Sequence, residues 1–362
     1  MDYAMIMAGG TGKRLWPLSR QNRPKQVLRL VDGQTLLRRC FDRLRDVFDP
    51  DHLLVLTNAA YVETVRGELP EVPAPYVVAE PAVRDTAPAI GLAATILAKG
   101  DPEATVAVVT ADQVIEPVET FESVLRDALT FVNHHPEAIV TFGIEPTFPS
   151  TQLGYIELGA ARQEPGCRST VHPVECFREK PDEATAQQYV ASGRFCWNAG
   201  MFVFRARTML DHLARLLPDS TEPLARIREA WGTPDQQVVL EAWFVRLPKI
   251  SIDFAVMEKA PHVYAIRLPC RWLDLGAFRS LAEIIGRDEN GNVPAAACHE
   301  LLDSEDNILV SEDNGHLIAL IGVRGLVVAH SPDATLVCSI AQAERLKELL
   351  ENVARHHGGR FL

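Results

Sequence analysis

The chain of 362 residues carries 48 acidic and 36 basic side chains, for a formal net charge of −12 at pH 7. This acidic balance disfavours nucleic acid or an anionic membrane as the main partner, because both repel negative charge. The length exceeds that of one ordinary small core and predicts one large α/β domain with a smaller one. The hydrophobic share of 47% is normal for a globular protein.

Cysteine usage and hydropathy predict a cytoplasmic protein. The seven cysteines are scattered and include no C-x-x-C pair, which is typical of reduced thiols rather than of disulfides or a zinc site. No apolar run approaches the ~20 residues of a membrane span, and the first residues lack a signal-peptide pattern. We therefore expect no membrane partner.

The first predicted element is a short strand at residues 3–7, and a glycine-rich basic segment follows it. Residues 7–26, called the signature loop below, read MAGGTGKRLWPLSRQNRPKQ. Between Asp2 and Asp32 there is no acidic residue, whereas these cations fall there: Lys13, Arg14, Arg20, Arg23, Lys25 and Arg29. Glycines let backbone N–H groups approach an anion and the cations neutralise it, so the segment predicts a phosphate-binding loop.

Spacing excludes two common kinds of phosphate loop. The Walker A pattern fails around Gly12 and Lys13, because its first glycine and its final hydroxyl residue are both missing. The dinucleotide fingerprint fails because Leu15 stands where its last glycine is required. Pro17 and Pro24 predict an irregular loop rather than a long helix. A tight turn with a solvated basic face remains the alternative interpretation.

Strand-like and helix-like segments alternate along the next part of the chain. Short apolar runs predict strands at residues 53–57, 76–78, 105–109 and 138–142. Amphipathic stretches between them predict helices at residues 35–47, 87–97 and 121–132. Such alternation predicts parallel strands with crossover helices on both faces of a sheet.

The sequence pattern of the chain changes after residue 286. Short alternating runs at residues 307–310, 316–321 and 326–329 are separated by Gly, Asn and Asp, which predicts a small β-rich unit. A final helix is expected where Leu346, Leu349, Leu350 and Val353 recur at helical spacing. We therefore divide the chain into a domain of residues 1–287 and a smaller one of residues 288–362.

Two aspartates are candidates for holding a metal ion. Asp112 follows the predicted strand at residues 105–109, and ligands of α/β sheets gather at the carboxyl ends of strands. Asp274 lies in the run RWLDLG. Mg²⁺ is typically held by one or two carboxylates together with substrate phosphates, which two converging aspartates would satisfy. A lone Asp is more often a helix cap or a turn residue, so this interpretation stays open on the residues alone.

The signature loop closely resembles the signature of the sugar nucleotidyltransferases, and specifically of the mannose-1-phosphate guanylyltransferases (GDP-mannose pyrophosphorylases). The run LWPLSR and the Gln that follows Pro24-Lys25 are the features similar to this branch. The similarity continues at intervals to the C-terminus. It implies a Rossmann-like (GT-A-like) α/β nucleotidyltransferase domain, with a mixed, mostly parallel sheet flanked by helices, and a small C-terminal β-helix-like domain.

The resemblance also implies roles for individual residues. Nucleotide binding is expected at Ala8, Gly9, Gly10, Thr11, Gly12, Glu80, Arg84, Asp85 and Thr86. Arg14 and Lys25 are expected to be catalytic, on the triphosphate and the departing pyrophosphate. Mg²⁺ is expected on Asp112 and Asp274. The sugar phosphate is expected at Gly154, Glu179, Lys180 and Asn198.

Two positions limit this assignment. The family usually has Pro-Ala-Asp-His around the first metal aspartate, whereas this chain reads Thr110-Ala111-Asp112-Gln113. Any hydrogen bonding by that histidine would have to come from Gln113 or be lost. Asp253, in the run SIDFAVMEK, is interpreted either as a substrate contact or as a structural residue.

The implied reaction is transfer of GMP from GTP to α-D-mannose 1-phosphate, which gives GDP-mannose and pyrophosphate by Mg²⁺-assisted in-line displacement. Two alternatives remain at this point. One is another sugar-1-phosphate nucleotidyltransferase, and the other is a catalytically silent regulatory subunit that binds a sugar nucleotide. The resemblance also implies a homodimer.

Overall fold

The computed structural model describes residues 1–10, 12–29 and 33–362. The strands of its larger part are β1 (Asp2–Met7), β2 (Leu53–Asn58), β3 (Val77–Glu80), β4 (Thr105–Thr110), β5 (Gln113–Glu116), β6 (Ile139–Ile144), β7 (Tyr155–Leu158), β8 (Arg162–Gln163), β9 (Thr170–Arg178), β10 (Phe195–Arg205), β11 (Val263–Arg267) and β12 (Arg271–Asp274). The helices are α1 (Leu36–Asp42), α2 (Val62–Glu68), α3 (Thr86–Gly100), α4 (Val118–His134), α5 (Glu183–Ser192), α6 (Ala206–Leu216), α7 (Thr221–Ala230), α8 (Gln236–Phe244), α9 (Phe278–Ile285) and α10 (Leu346–His357).

One ten-stranded mixed sheet organises the larger part. Its order is β3-β2-β1-β4-β10-β6-β11-β9-β7, with β8 paired to β9. β1, β2, β3 and β4 run parallel, as the alternation of strand-like and helix-like segments predicted. The long strand β10 lies antiparallel between β4 and β6, a pairing that the alternating pattern of the sequence did not indicate.

Alternating side chains of the buried strands build two separate cores. Ala4 and Ile6 of β1 pack with α4 on one face, while Met5 packs with α3 on the other. This period of two is expected for a strand covered on both faces. The predicted α/β architecture with helices on both faces is confirmed.

A two-stranded ribbon lies beside the sheet and carries both candidate metal ligands. β12 pairs antiparallel with β5, so that Asp274 stands opposite Gln113. The N–H of Leu275 donates to the carbonyl of Asp112 at 3.0 Å and extends the ladder by one bond. The ribbon thereby joins two aspartates that are far apart along the chain.

The C-terminal part is a small parallel β-helix. Its strands are β13 (Val293–Ala295), β14 (Cys298–Leu302), β15 (Ile308–Ser311), β16 (Leu317–Ile321), β17 (Leu326–Ser331) and β18 (Ala334–Ser339). β13, β15 and β17 stack in parallel on one side, β14 and β16 on another, and β18 closes the first stack antiparallel. Buried Asn292 and Asn307 bond to each other at 3.0 Å across successive coils. The expected β-helix-like domain is confirmed.

The proposed boundary at residue 287/288 falls between α9 and β13 and stays a prediction. His356 and His357 belong to the last turn of α10. Among the residues described, no helix combines the length and the apolar character needed to cross a membrane. All seven cysteines are free thiols.

Candidate active site

The signature loop leaves the carboxyl end of β1 and folds back on itself, with two short 3-10 turns in place of a long helix. Gly12 has φ 65°, and a Cβ there would lie 2.7 Å from the Cβ of Lys25. A side chain at Gly9 would lie 2.7 Å from Oε2 of Glu80. Close approach and a left-handed backbone therefore require glycine at position 12, whereas a side chain at position 9 would displace the carboxylate of Glu80. Thr11 lies outside the described residues.

Lys25 lies at the centre of the site, between the two predicted metal ligands. Its Nζ is 2.6 Å from Oδ2 of Asp112 and 3.7 Å from Oδ1 of Asp274. It also donates to the carbonyl of Leu275 at 3.1 Å. One ammonium thus holds together two carboxylates that the β5–β12 ribbon has brought to the same place.

The electrostatics of this cluster follow from burial and charge together. Burial by itself lowers the pKa of Lys25, but the carboxylates of Asp112 and Asp274 outweigh it, so the pKa is raised. Burial raises the pKa of Asp112, but attraction to Lys25 outweighs it and the net shift is downward. Burial, and then the charge of Asp112, raise the pKa of Asp274 to about 6. The single ammonium of Lys25 leaves the carboxylates of Asp112 and Asp274 with excess negative charge. Such an excess favours a bound cation.

The donor set fits a hard divalent cation. Two carboxylates converge, and Oδ1 of Asp274 is buried without a hydrogen-bond partner. Mg²⁺ takes one or two protein carboxylates and fills its other positions with water and phosphate oxygens. The exposed Arg14 lies close enough to shift the pKa of Asp274 and has no carboxylate partner in the part of the chain that the structure describes.

The other cations of the signature loop are not all directed to this site. Arg20 pairs with Asp333, Arg23 with Glu312, and Arg29 with Glu68. Five of the six cations that indicated an anion site in the sequence therefore divide into two groups, and the sixth, Lys13, is exposed. Lys25 and Arg14 belong to the site, and the paired arginines hold the loop and its flank to the rest of the protein.

Gln113 connects the metal ribbon to the strand that carries Asn198. Its side chain is 5% exposed, and its Nε2 donates to the carbonyl of Ala199 at 2.7 Å. Its Oε1 is buried without a hydrogen-bond partner. The departure from the family histidine therefore leaves a side-chain N–H donor in place.

A cavity of about 270 Å³ opens between the signature loop and the N-terminus of α3. Its lining includes Met7, Gly9, Gly10, Gln26, Asn58, Glu80, Arg84, Asp85, Thr86, Thr110 and Asp112. Most of the predicted nucleotide-binding residues thus meet at one place. The polar side chains of Gln26, Asn58 and Thr110 were not predicted, since single polar residues at strand and turn ends carry no distinctive sequence signal.

Ala8 does not reach this cavity as a side-chain contact. It is 1% exposed, its N–H donates to Leu56, and its carbonyl accepts from Thr57. It packs in the sheet core and supports the turn. Gly12 is likewise absent from the lining residues, since it packs against Lys25.

Glu80 is the charged group of this cavity that has no hydrogen-bond or ion-pair partner among the residues that the structure describes. Burial raises the pKa of its carboxyl to about 7. Its neighbours are engaged elsewhere: Arg84 donates to the carbonyl of Val245, and Asp85 caps α3 by accepting from the N–H of Thr86 at 2.8 Å. Thr86 accepts from the N–H of Ile252. Glu80 is therefore the group most able to recognise hydrogen-bond donors of a ligand.

Asn198 is held rigidly on the far side of the ribbon. Its Oδ1 accepts from the hydroxyl of Thr141 at 2.8 Å and from the N–H of Gly200 at 3.2 Å. Its Nδ2 donates to Oδ1 of Asp253 at 3.2 Å. Asp253 begins a short π-helical turn, residues 253–257, a rare local structure that is frequent at functional sites.

The remaining sugar-side residues lie next to this pair. A Cβ at Gly154 would lie 2.5 Å from Oε2 of Glu179, so a side chain there would displace this carboxylate. The N–H of Glu179 donates to Glu258, and its carboxylate pairs with Lys180. Burial, and then the charge of Glu179, raise the pKa of Asp253 to about 7. Asp253 therefore belongs with the predicted sugar-side residues, and its π-helical turn is the feature that the sequence did not reveal.

A separate group of possible ligands, Asp49, Asp51 and His52, lies on the turn that enters β2. It sits at the amino end of that strand, at the opposite edge of the sheet from Lys25. It has no connection to the site described above.

Comparison with known proteins agrees with this geometry. Residues 3–291 match the Nucleotidyl transferase family, and residues 299–353 match the MannoseP isomerase/GMP-like beta-helix domain. The chain is 35% identical to a mannose-1-phosphate guanylyltransferase of Klebsiella pneumoniae over 356 residues, which cover 97% of this chain and 74% of the relative. The chain belongs to the mannose-1-phosphate guanylyltransferases.

Other members of this family support the assignment. A mannose-1-phosphate guanylyltransferase of Salmonella montevideo is 36% identical over 98% of this chain and 74% of its own length. A crystal structure described as a mannose-1-phosphate geranyltransferase from Thermus thermophilus is 34% identical and superposes with a TM-score of 0.85 over 97% of this chain and 99% of that one. Members of this family are nucleotidyltransferases, which generally use a divalent metal.

Proposed function

We propose that this protein transfers GMP from GTP to α-D-mannose 1-phosphate and releases pyrophosphate. The observation that carries the proposal is the meeting of Lys25, Asp112 and Asp274 between a nucleotide-sized cavity and the Asn198 side of the sheet. A phosphate oxygen of mannose 1-phosphate would form a bond to the α-phosphorus of GTP as the bond to the pyrophosphate oxygen breaks. No general base is needed, because the attacking phosphate is already an anion.

The task of the chain is to bring two anions together and neutralise the departing charge. Arg14 and Lys25 would bind the triphosphate and the leaving pyrophosphate. Before substrate binds, Lys25 compensates the paired carboxylates of Asp112 and Asp274. Mg²⁺ held by these carboxylates would supply Lewis-acid neutralisation of the phosphate oxygens. Lys25 would then turn from the carboxylates to the phosphates.

Glu80 supports the assignment of guanine as the base. Guanine presents two adjacent N–H donors on its Watson–Crick edge, N1–H and the 2-amino group, and a carboxylate can accept both. Adenine and the pyrimidines lack this pair. The unpartnered carboxyl of Glu80 in the nucleotide cavity is complementary to such an edge.

The sugar-side groups support a hexose 1-phosphate as the acceptor. Asn198 has one amide hydrogen left after its bond to Asp253, and Glu179 can accept from a hydroxyl. Lys180 supplies a compact charge for the sugar phosphate. Mannose, rather than another hexose, is proposed because of the family to which the chain belongs.

We also propose a homodimer that works in the cytoplasm. An exposed, mostly apolar ladder on β14 and β16, formed by Leu302, Leu317 and Ile321 around Glu300, is a natural contact surface for a second copy. Seven free cysteines fit a reducing compartment.

Pyrophosphate release tests the proposed reaction directly. GTP with mannose 1-phosphate and Mg²⁺ should give fast release that EDTA abolishes, whereas ATP, UTP or glucose 1-phosphate should give little. Release with another pair would retain the chemistry and correct the substrates. No release with any pair, from folded protein that binds GDP-mannose, would contradict the proposal and favour a regulatory subunit.

A further inference from the structure

The underside of the signature loop packs on the C-terminal β-helix rather than on the main sheet. Leu15, Trp16 and Leu18 share one apolar core with Val327 and Leu350 of the C-terminal domain. The metal ribbon contributes Val114 to this core, and the segment after it contributes Leu275 and Phe278. Two structural parts of the site therefore depend on a domain that contributes no predicted site residue.

Polar contacts attach the same loop to the same domain. The guanidinium of Arg20 donates to the carbonyl of Phe361, to the hydroxyl of Ser331 at 2.7 Å and to the carboxylate of Asp333 at 2.5 Å. The indole N–H of Trp16 donates to the same Phe361 carbonyl at 2.6 Å. The Arg20 side chain is 11% exposed, whereas that of Asp333 is 53% exposed, so solvent reaches this ion pair from the side of the carboxylate.

These contacts are linked through short connections to the residues that would bind phosphate. Ser19, next to Arg20, donates through its hydroxyl to the carbonyl of Gly12 at 2.5 Å. Arg20 and Arg23 exchange backbone hydrogen bonds of 2.8 and 3.1 Å, which close a tight turn just before Lys25. Both arms of the loop are thus fixed by the segment that Arg20 anchors.

We propose that Arg20 is a positioning residue, through which the C-terminal domain holds the signature loop in the conformation that binds the nucleoside triphosphate. Arg20 does not reach the substrate, because its donors are occupied by Pro17, Ser331, Asp333 and Phe361. The C-terminal β-helix then stabilises the conformation of the nucleotide site. The identity of the nucleotide in this proposal rests on the proposed function. The ordering of the loop does not depend on it.

Two variants of different severity test this role. Arg20→Gln removes the guanidinium, and Asp333→Asn removes only the charge of a half-exposed partner that is expected to leave folding intact. Arg324→Gln is the matched control, since it breaks an ion pair with Asp306 within the same domain and away from the loop. Measurements are KM for GTP and for mannose 1-phosphate, kcat, thermal unfolding, and amide hydrogen exchange of residues 12–26.

For Arg20→Gln we expect KM for GTP to rise roughly tenfold, the factor that corresponds to about 1.4 kcal/mol. The rise should be smaller for Asp333→Asn and absent for Arg324→Gln. KM for mannose 1-phosphate should stay unchanged, and residues 12–26 should exchange faster in both loop variants.

The proposal is overturned if loop exchange and KM for GTP match the wild type, or if both KM values rise together with a lowered Tm, which indicates general destabilisation. If wild-type protein turns over no substrate pair, the proposed function fails. Hydrogen exchange of the loop still decides the positioning role in that case.

Discussion

Lys25 separates two carboxylates that would repel each other without it. Its ammonium is within 4 Å of both Asp112 and Asp274, and the pKa shifts of all three groups follow from that arrangement. Exposed ion pairs contribute little, whereas this one lies in a recess where charges interact more strongly. The chemistry predicted for this site therefore depends mainly on these three side chains.

Lys25→Met should reduce kcat roughly 10²–10³-fold, because one preorganised charge on the transferring phosphates is lost. The measurement is pyrophosphate release at saturating substrate, with thermal unfolding as the check on folding. Lys99→Met removes a cation that donates to the carbonyls of Glu229 and Trp231, and it serves as the control. A Lys25→Met enzyme with near wild-type turnover would remove Lys25 from the mechanism.

Glu80→Gln should stabilise the ligand-free protein at pH 8 but not at pH 4. The pKa of the Glu80 carboxyl is about 7 when folded, against 4.5 ordinarily, so the folded state binds its proton more tightly. Wild-type stability therefore falls as pH rises from about 4.5 to 7, and the loss persists above pH 7. A glutamine does not titrate, and the expected gain at pH 8 is on the order of 1–3 kcal/mol.

Urea unfolding of both proteins at pH 4 and pH 8 measures this difference. The same variant should discriminate less between GTP and ATP, since its amide cannot accept both N–H groups of guanine. A stability difference that is equal at the two pH values would show that Glu80 is already ionised in the folded protein.

At the scale of elements, the β5–β12 ribbon is the part that assembles the site. It carries Asp274 and, through Gln113, reaches the carbonyl of Ala199 on β10. Strand β10 in turn carries Asn198. One side-chain hydrogen bond therefore connects the metal side of the reaction to the sugar side.

Gln113→Leu should lower kcat/KM by about tenfold, because it removes this bond and leaves the carbonyl of Ala199 unsatisfied. Gln113→His restores the residue usual in the family, can still donate an N–H, and should stay within about threefold of wild type. Steady-state kinetics of the two variants provide the comparison. Equal losses in both would mean that the shape of the side chain matters rather than its donor.

The features that could be predicted from the sequence are those determined by residues close together in the chain. The strand before Asp112, the helix around Ile90 and the glycine-rich turn follow from short-range patterns, and the structure contains all three. The antiparallel insertion of β10 and the π-helical turn at Asp253 arise from tertiary pairing, which no local pattern records. The pairing of Arg20 with Asp333 likewise required the fold, since the sequence shows only that both residues are charged.

On the scale of the whole molecule, the exposed ladder of the β-helix is the surface that we propose contacts a second copy of the chain. Ile321→Glu places a second charge on this ladder and should convert the proposed dimer to a monomer. Sedimentation velocity measures the change, and Val238→Glu on α8, at a similarly exposed apolar position, is the control. A wild-type protein that is monomeric at micromolar concentration would exclude the dimer.

The contact between Arg20 and Phe361 joins groups 341 residues apart in the chain. During synthesis the signature loop leaves the ribosome long before the segment that supports it. The nascent N-terminal sheet can therefore form while its nucleotide site is still incomplete. Catalytic competence would then arise only after residues 331–361 have emerged and docked.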